Sequence, residues 1–309
     1  MNQIAFLFSG QGAQYSGMGK ELYEASPAAK AVFDLADTIR PNTSSQCFTA
    51  PKEELNLTVN TQPCLYCVDL AAAAALREHG IKPAFVAGFS LGEIAALTFS
   101  GVLSEEDGFS LVCRRASYMG EATAKTGGGM CAVLKLSSAQ VEEICGKFQH
   151  VFPVNYNCPG QIAVAGDKEE LAALGRAVQE AGGKAVPLAV SGAFHSPFMD
   201  KASEKMAQYL TGVPVTAPKI PLYSNYTAGL YGGGKDEIRK NIALQINHPV
   251  RWQAILESMA AQGVGVFVEV GAGKTLTGLV KKTVPSAKAL HVENAASLEA
   301  AVNTLKQED

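Results

Sequence analysis

Residues 85–97 read FVAGFSLGEIAAL, a stretch that places one serine, Ser90, between Gly88 and Gly92. An apolar run precedes the glycines and an Ala/Leu-rich run follows them, which predicts a buried strand, a sharp turn and a helix. In the pattern G-x-S-x-G such a turn exposes the serine hydroxyl as a nucleophile. The next backbone N–H and the positive end of the helix then point to a developing oxyanion. The alternative is that the glycines only ease the turn.

A serine nucleophile needs a general base, and His195 in SGAFHSPFM is the best candidate. It lies in a loop bounded by Gly, Ser and Pro, from which its ring could reach back to Ser90. An α/β-hydrolase would add an acidic residue and a late histidine, whereas here a long segment follows His195 and no HGGG-type loop is present. The other histidines are expected in solvated positions near element ends: His79, His150, His248 and His291.

Three other patterns resemble ligand sites and lack a required feature. The segment GQGAQYSGMG does not have the G-x-G-x-x-G spacing, and VGAGKTL has Val268 where a phosphate loop needs its first glycine. Cys64 and Cys67 form C-x-x-C, but no second Cys/His pair stands at metal-ligand spacing. We therefore interpret these cysteines as packing residues of one helix, and expect no metal site.

The composition is that of a globular protein. The 309 residues are 47% hydrophobic and 18% charged, with a net charge of −3 and an odd number of cysteines, seven. This balance argues against disorder, a nucleic-acid-binding surface and a disulfide framework. The start MNQIAFLFSGQG has no basic region, and the longest apolar stretch is shorter than a bilayer span. We expect a soluble, cytoplasmic protein.

Strand and helix patterns alternate in the large part of the chain. Strands are predicted at 4–9, 84–87, 220–224 and 264–270, and helices at 60–79, 91–100, 104–122, 197–211, 235–246, 250–262 and 297–306. This alternation predicts an α/β fold whose main sheet is parallel and covered by helices on both faces.

The glycine-rich segment KTGGGM at 125–130 marks a change of pattern. Strand, helix, strand, strand, helix and strand follow, which is the βαββαβ order of a ferredoxin-like unit. We predict a small inserted domain at 126–191, and a large core formed by 1–125 and 192–309.

Six blocks in this order resemble one family. They are FSGQGAQYSGMG, GFSLGE, RASYM, NCPGQIAVAG, GAFHS and QINHPVRW. The sequence resembles the malonyl-CoA:acyl-carrier-protein transacylases, the stand-alone acyltransferases of bacterial fatty-acid and polyketide synthesis, over essentially its whole length. The resemblance implies an α/β-hydrolase-like core with a ferredoxin-like insert.

The resemblance also implies roles for particular residues. Ser90 is then the nucleophile and His195 its base, oriented by the backbone carbonyl of Gln245 rather than by an acidic residue. The backbone N–H groups of Gln11 and Leu91 form the oxyanion hole.

Acyl-group recognition is implied at three further residues. Arg115, near the edge of the inward face of its helix, is expected to bind the free carboxylate of malonate. Phe194 precedes the histidine, where its ring would exclude an α-methyl group. Phe89 stands where most relatives have histidine, so it is expected to affect acyl preference or the exclusion of water.

The implied reaction moves malonyl from coenzyme A to the phosphopantetheine thiol of acyl carrier protein, with no metal or redox cofactor. A trans-acting acyltransferase of a polyketide synthase remains an alternative, and so does a serine esterase or thioesterase. No membrane or nucleic-acid partner is expected, and we expect a monomer.

Overall fold

The computed structural model describes residues 3–307, whose strands form two separate four-stranded sheets. The strands are β1 (Gln3–Phe8), β2 (Phe85–Gly88), β3 (Gly129–Leu134), β4 (Val151–Cys158), β5 (Gln161–Gly166), β6 (Lys184–Pro187), β7 (Val264–Val270) and β8 (Lys288–Val292).

Helices surround both sheets. They are α1 (Lys20–Ala25), α2 (Pro27–Ile39), α3 (Thr43–Thr49), α4 (Lys52–Leu55), α5 (Thr58–Glu78), α6 (Gly92–Phe99), α7 (Glu105–Thr126), α8 (Ser138–Cys145), α9 (Lys168–Glu180), α10 (Asp200–Leu210), α11 (Lys235–Leu244), α12 (Trp252–Ala261), α13 (Thr275–Thr283) and α14 (Ala295–Lys306). Within residues 3–307, none of them combines the length and the apolar character needed to cross a bilayer.

The large sheet has the strand order β2-β1-β7-β8, and every neighbouring pair is parallel. Its central strands are apolar on both faces because helices cover both. Phe6 and Phe8 of β1 pack into the core that contains α5 and α6, whereas Ala5 and Leu7 pack toward α12 and α13. The prediction of a parallel sheet between helical layers is confirmed.

The small sheet has the order β4-β5-β3-β6, and all its pairs are antiparallel. Its elements follow one another as strand, helix, strand, strand, helix, strand, with α8 and α9 as the helices. The buried side chains of α8 and α9 pack with those of the sheet in a core of their own. The molecule is therefore an α/β fold with a mostly parallel sheet and a small antiparallel sheet.

Several element predictions need correction. Segment 220–224 is not a strand; only single bridges join Leu222 to Val86 and Tyr223 to Leu230. Helix α5 begins at Thr58 rather than at residue 60, so Pro63 lies in its second turn. Helix α13 and strand β8 were not predicted. Segment 271–292 has several glycines and lysines, and these weaken both the strand and the helix patterns.

Candidate active site

Ser90 lies in the tight turn between β2 and α6, with φ of 55° in the left-handed region. Both neighbouring glycines are required by backbone contacts. A Cβ on Gly88 would lie 2.0 Å from the carbonyl carbon and oxygen of Gly92, and one on Gly92 would lie 2.4 Å from the carbonyl oxygens of Phe8 and Ser9. The G-x-S-x-G spacing therefore lets the helix start pack directly on β1 and β2, leaving the Ser90 side chain at the strand ends.

His195 and Ser90 form a hydrogen-bonded pair, 105 residues apart in sequence. The Ser90 Oγ lies 2.7 Å from His195 Nε2, and His195 Nδ1 lies 2.8 Å from the backbone oxygen of Gln245. A carbonyl oxygen can only accept, so Nδ1 carries the hydrogen and Nε2 accepts from the serine hydroxyl. Burial and the nearby charge of Arg115 lower the pKa of His195 to about 3. The imidazole is therefore neutral and able to take a proton.

Arg115 of α7 places a buried cation beside the Ser90 Oγ. Its guanidinium donates to Ser90 Oγ at 3.1 Å, to Gln62 Oε1 at 2.6 Å and to Gln245 Oε1 at 2.7 Å, while its Nε–H has no acceptor in residues 3–307. Burial lowers the pKa of Arg115 to about 10, and the charge of Glu93 opposes this shift. The residue is 1% exposed, so the prediction that it lies near the edge of an inward face was wrong.

Glu93, in the first turn of α6, is buried below Ser90. Its Oε2 accepts from the backbone N–H of Asn225 at 3.1 Å and from Gln245 Nε2 at 3.3 Å, and its Oε1 accepts from the Tyr231 hydroxyl at 2.5 Å. Burial raises the pKa of Glu93 to about 7, although these hydrogen bonds partly oppose the shift. The sequence analysis predicted no role for Glu93, nor for Gln62, which accepts a hydrogen bond from Arg115.

The loop after β1 carries Gln11. Ser9 fixes its start by donating from N–H to the Val270 oxygen at 3.3 Å and from Oγ to the buried Asp69 at 2.6 Å. In the part of the protein that the structure describes, the backbone N–H groups of Gln11 and Leu91 have no acceptor. Both N–H groups are thus unpaired within residues 3–307, one in the loop after β1 and one in the Ser90 turn.

A cavity of about 90 Å³ lies over the serine and continues into a channel of about 270 Å³. The cavity is lined by Gln11, Phe89, Ser90, Arg115, Met119, Met130, Asn155, Leu188, Val190, Phe194 and His195. The channel shares Gln11, Phe89, Asn155 and Leu188 with it, and Asn157 lies farther along. The structure therefore brings all the predicted site residues to one place, with Leu91 and Gln245 behind the lining.

Phe89, next to the serine, packs its ring edge-on against Trp252, with ring centroids 5.3 Å apart. It thereby forms a wall shared by the cavity and the channel.

A second glycine-rich segment, VGAGKTL, leads from β7 into α13. A carboxylate of the protein already binds the backbone N–H groups at the start of this helix. The buried Glu269 accepts from the backbone N–H of Leu276 at 3.0 Å and of Thr277 at 2.7 Å, and also from the Thr277 hydroxyl. A phosphate at this helix N-terminus would meet the Glu269 oxygens instead of free N–H groups. Position 268 is valine rather than the glycine that a phosphate loop needs, and Glu269 already binds the N–H groups at the helix start. Both observations argue against a phosphate loop.

Cys64 and Cys67 both lie buried on α5. Burial raises the pKa of the Cys67 thiol, which makes it a poor thiolate ligand. In residues 3–307 no group of three or more His, Cys, Asp or Glu side chains is placed to hold a metal ion.

Residues 5–308 match the family model described as Acyl transferase domain. A Bacillus subtilis (strain 168) protein named malonyl CoA-acyl carrier protein transacylase is 40% identical, with 100% of this chain and 99% of that protein covered. A Clostridium perfringens crystal structure with the same name superposes with a TM-score of 0.95 at 36% identity, covering 99% and 98% of the two chains. A structure of a type II PKS acyl-carrier protein in complex with its malonyl-transacylase superposes with a TM-score of 0.94 at 35% identity, covering 98% of this chain and 99% of that chain.

Proposed function

The chain belongs to the acyl transferase domain family, and we propose that it transfers malonyl from malonyl-CoA, through an ester on Ser90, to the phosphopantetheine thiol of an acyl carrier protein. The observation that carries this proposal is the contact of Arg115 with the serine oxygen, 3.1 Å away. A buried cation at the nucleophile suits an acyl group that carries its own carboxylate, because burying that charge unpaired would be costly. A serine esterase or thioesterase for uncharged acyl groups has no need of it.

In the first half-reaction Ser90 Oγ attacks the thioester carbonyl while His195 Nε2 takes the hydroxyl proton. The backbone carbonyl of Gln245, 2.8 Å from Nδ1, stabilises the imidazolium in place of an acidic residue. The oxyanion lies between the N–H groups of Gln11 and Leu91. The C–S bond then breaks, and the imidazolium gives its proton to the departing coenzyme A thiolate.

The second half-reaction repeats these steps with the carrier-protein thiol as the nucleophile. His195 takes the thiol proton, the sulfur attacks the malonyl-Ser90 ester, and the serine oxygen leaves with the proton returned by His195. Water must be kept from this ester between the two halves. The narrow, mostly apolar cavity formed by Phe89, Phe194 and their neighbours supports that exclusion.

The malonyl carboxylate is assigned to Arg115. The Nε–H that has no acceptor is a donor available for the substrate, and a guanidinium can hold a carboxylate by two parallel hydrogen bonds. Gln62 and Gln245 orient the guanidinium from behind. Phe194 limits the space around the malonyl α-carbon.

The thioester arm is assigned to the channel. The side-chain oxygens of Asn155 and Asn157 are buried and accept no hydrogen bond within residues 3–307, and both residues line the channel. Phosphopantetheine carries amide N–H groups that can donate to such oxygens. The same arm is present in coenzyme A and in holo acyl carrier protein, so one channel serves both half-reactions.

The finer fold and context assignments are part of the same proposal. The βαββαβ order with strand order β4-β5-β3-β6 supports a ferredoxin-like domain at 126–191, inserted into an α/β-hydrolase-like core of 1–125 and 192–309. We assign the protein to the cytoplasm as a monomer, acting in fatty-acid synthesis. The type II PKS complex among similar structures keeps a polyketide role as the second candidate.

Intact-protein mass spectrometry after brief mixing with malonyl-CoA tests the activity. The expected result is a stable malonyl adduct on Ser90 that holo acyl carrier protein discharges and the apo form, which lacks the thiol, does not. Ser90→Ala should form no adduct while retaining its fold, since it removes one hydroxyl at a turn. An adduct on Ser90→Ala, or rapid hydrolysis of malonyl-CoA without an adduct, would contradict the proposal.

A further inference from the structure

The conformation of Ser90 requires support from the rest of the molecule. A non-glycine residue at a φ of 55° is strained relative to ordinary backbone. Yet the Oγ must stay within hydrogen-bond distance of His195. The groups that hold the backbone of Ser90 therefore influence the position of its hydroxyl.

Two side chains from distant segments hold that backbone. Asn225 Oδ1 accepts from the Ser90 N–H at 2.7 Å, and Asn225 Nδ2 donates to the Gly88 oxygen at 2.7 Å. Gln245 Nε2 donates to the Ser90 oxygen at 3.0 Å. The N–H and the C=O of Ser90 are thus both held, one from each side.

Both of these side chains depend on Glu93. Its Oε2 accepts from the Asn225 N–H and from Gln245 Nε2, and its Oε1 accepts from Tyr231. All three partners lie more than 130 residues away in sequence. We name Glu93, Asn225, Gln245 and Tyr231 the Glu93 cluster.

We propose that Glu93 is a positioning residue: as a buried hydrogen-bond acceptor it fixes Asn225 and Gln245, and through them the backbone of the nucleophile Ser90. The inference rests on the proposed function of Ser90. It differs from a second role that the geometry allows, in which Glu93 acts as an anion that balances the charge of Arg115 through Gln245. The two roles predict different results for charged and uncharged acyl donors.

The test compares Glu93→Met with Glu93→Gln. Both variants remove the negative charge and keep a side chain of similar length. Only glutamine keeps an oxygen that can accept from Asn225 and Gln245. Its amide N–H group then faces Tyr231, whose hydroxyl can turn to accept that hydrogen bond. Acylation of Ser90 is measured with malonyl-CoA and with p-nitrophenyl acetate, which carries no charge. Melting curves confirm that each variant is folded.

If Glu93 positions Ser90, Glu93→Met slows acylation by both donors by a similar factor, on the order of 10²-fold, as expected for a displaced nucleophile. Glu93→Gln stays within about tenfold of the wild type for both donors. A loss confined to malonyl-CoA, an equal loss in Glu93→Gln and Glu93→Met, or a change below about threefold in Glu93→Met would each overturn the proposal.

Two further variants keep the result decisive if Glu93→Met does not fold. Asn225→Ala removes the support of the Ser90 N–H but leaves the carboxylate, and should slow both donors alike; no loss would overturn the proposal. Tyr231→Phe removes the contact on the far side of Glu93 and leaves both contacts of Asn225 with the Ser90 turn, so its loss should be smaller than that of Asn225→Ala.

Ser90→Ala separates this inference from the proposed function. Malonyl adduct formation in Ser90→Ala contradicts the function. If instead Ser90 is acylated normally in the wild type and equally fast in the variants of the Glu93 cluster, only the positioning role fails. A wild-type Ser90 that reacts with neither donor would overturn both.

Discussion

Two junctions of the large sheet have similar local sequence and different chemistry. Strand β2 leads through Gly88-Phe89-Ser90-Leu91 into α6, and strand β7 leads through Gly271-Ala272-Gly273-Lys274 into α13. Both strands pair in parallel with β1, so both turns lie at the same edge of the sheet. At the first junction the N–H of Leu91 remains available, whereas at the second Glu269 bonds the N–H groups of α13.

The difference shows that a glycine-rich turn before a helix becomes a reactive site only if its N–H groups remain free for a ligand. Glu269 and Glu93 are both buried carboxyl groups beside these turns. Glu269 points at the helix start and occupies it, while Glu93 points toward Asn225 and Gln245 and leaves it open. The direction of one side chain thus separates the two junctions.

The largest effect is expected when the first junction loses its base. His195→Ala should slow Ser90 acylation by p-nitrophenyl acetate by roughly 10²–10⁴-fold, because His195 Nε2 is the group that takes the hydroxyl proton of Ser90. Lys274→Ala, the control at the second junction, should change the rate by less than about threefold, since Lys274 contacts Glu293 and not the cavity. A loss below about tenfold in His195→Ala would place the base elsewhere.

Arg115→Ala should next separate acyl groups by their charge. Malonyl transfer is expected to fall on the order of 10²-fold or more, because the substrate carboxylate would be buried without a partner. Acetyl transfer should be spared or rise, and Arg115→Lys should restore malonyl transfer only in part. Rates of both transfers are compared by mass spectrometry of the carrier protein. An equal fall for malonyl and acetyl would make Arg115 a structural residue.

The glycines of the two junctions should differ in their tolerance of a side chain. Gly92→Ala places a Cβ against the carbonyl oxygens of Phe8 and Ser9, so the free energy of unfolding should fall by about 3 kcal/mol. Among residues 3–307, the nearest contact of a Cβ in Gly273→Ala is Ala13 at 3.6 Å, so this variant should lose only about 1 kcal/mol, the cost of its left-handed backbone. Urea denaturation of both variants measures the difference. Equal losses would refute the packing explanation.

A smaller effect is expected inside the cavity of the first junction. The wild type should acylate Ser90 faster with malonyl-CoA than with methylmalonyl-CoA, because the Phe194 ring occupies the space of an α-methyl group. One methyl is worth about 1–3 kcal/mol of discrimination. Phe194→Ser should bring the malonyl-CoA and methylmalonyl-CoA acylation rates closer together. Single-turnover kinetics measure both rates. Equal rates in the wild type would show that Phe194 does not set this preference.

The smallest expected effect is that of pH. The His195 pKa of about 3 lies below the ordinary value of 6.5, so the base remains unprotonated as the pH falls. Acylation by p-nitrophenyl acetate should therefore change by less than about threefold between about pH 8 and pH 5. Because Glu93 titrates near 7, Glu93→Gln is measured in parallel. A fall centred near pH 6.5 that persists in Glu93→Gln would contradict the neutral buried imidazole.

Much of the fold could be predicted from the sequence, because it depends on local patterns. The apolar runs of β1, β2 and β7 and the helical periodicity between them predict a parallel sheet with covered faces, and the second pattern after residue 126 predicts the small sheet. Prediction failed where the local signal is weak or misleading. Segment 220–224 is apolar but makes only single bridges, and α13 and β8 lie in a stretch rich in glycine and lysine.

The residues of the site also differ in whether the sequence could predict them. The need for Gly88 beside Ser90 follows from its close approach to Gly92 within one turn, so the sequence determined it, whereas Gly92 is required by the carbonyl oxygens of Phe8 and Ser9, which tertiary packing brings to the turn. His195 was already a candidate base from the residues around it, whereas the placement of Gln245 and Arg115 around that serine entered only through resemblance to a family. The supporting contacts of Gln62, Glu93, Asn225 and Tyr231 had no signal at all in the sequence.

The tertiary structure alone decided that Glu93 supports the nucleophile. This outcome depends on hydrogen bonds only about 3 Å long between residues more than 130 positions apart, such as Glu93 with Asn225 and Tyr231. Sequence spacing carries no information about such distances, because the polypeptide folds back several times between the partners. Turn geometry is different, since it is fixed by sterics within a few residues.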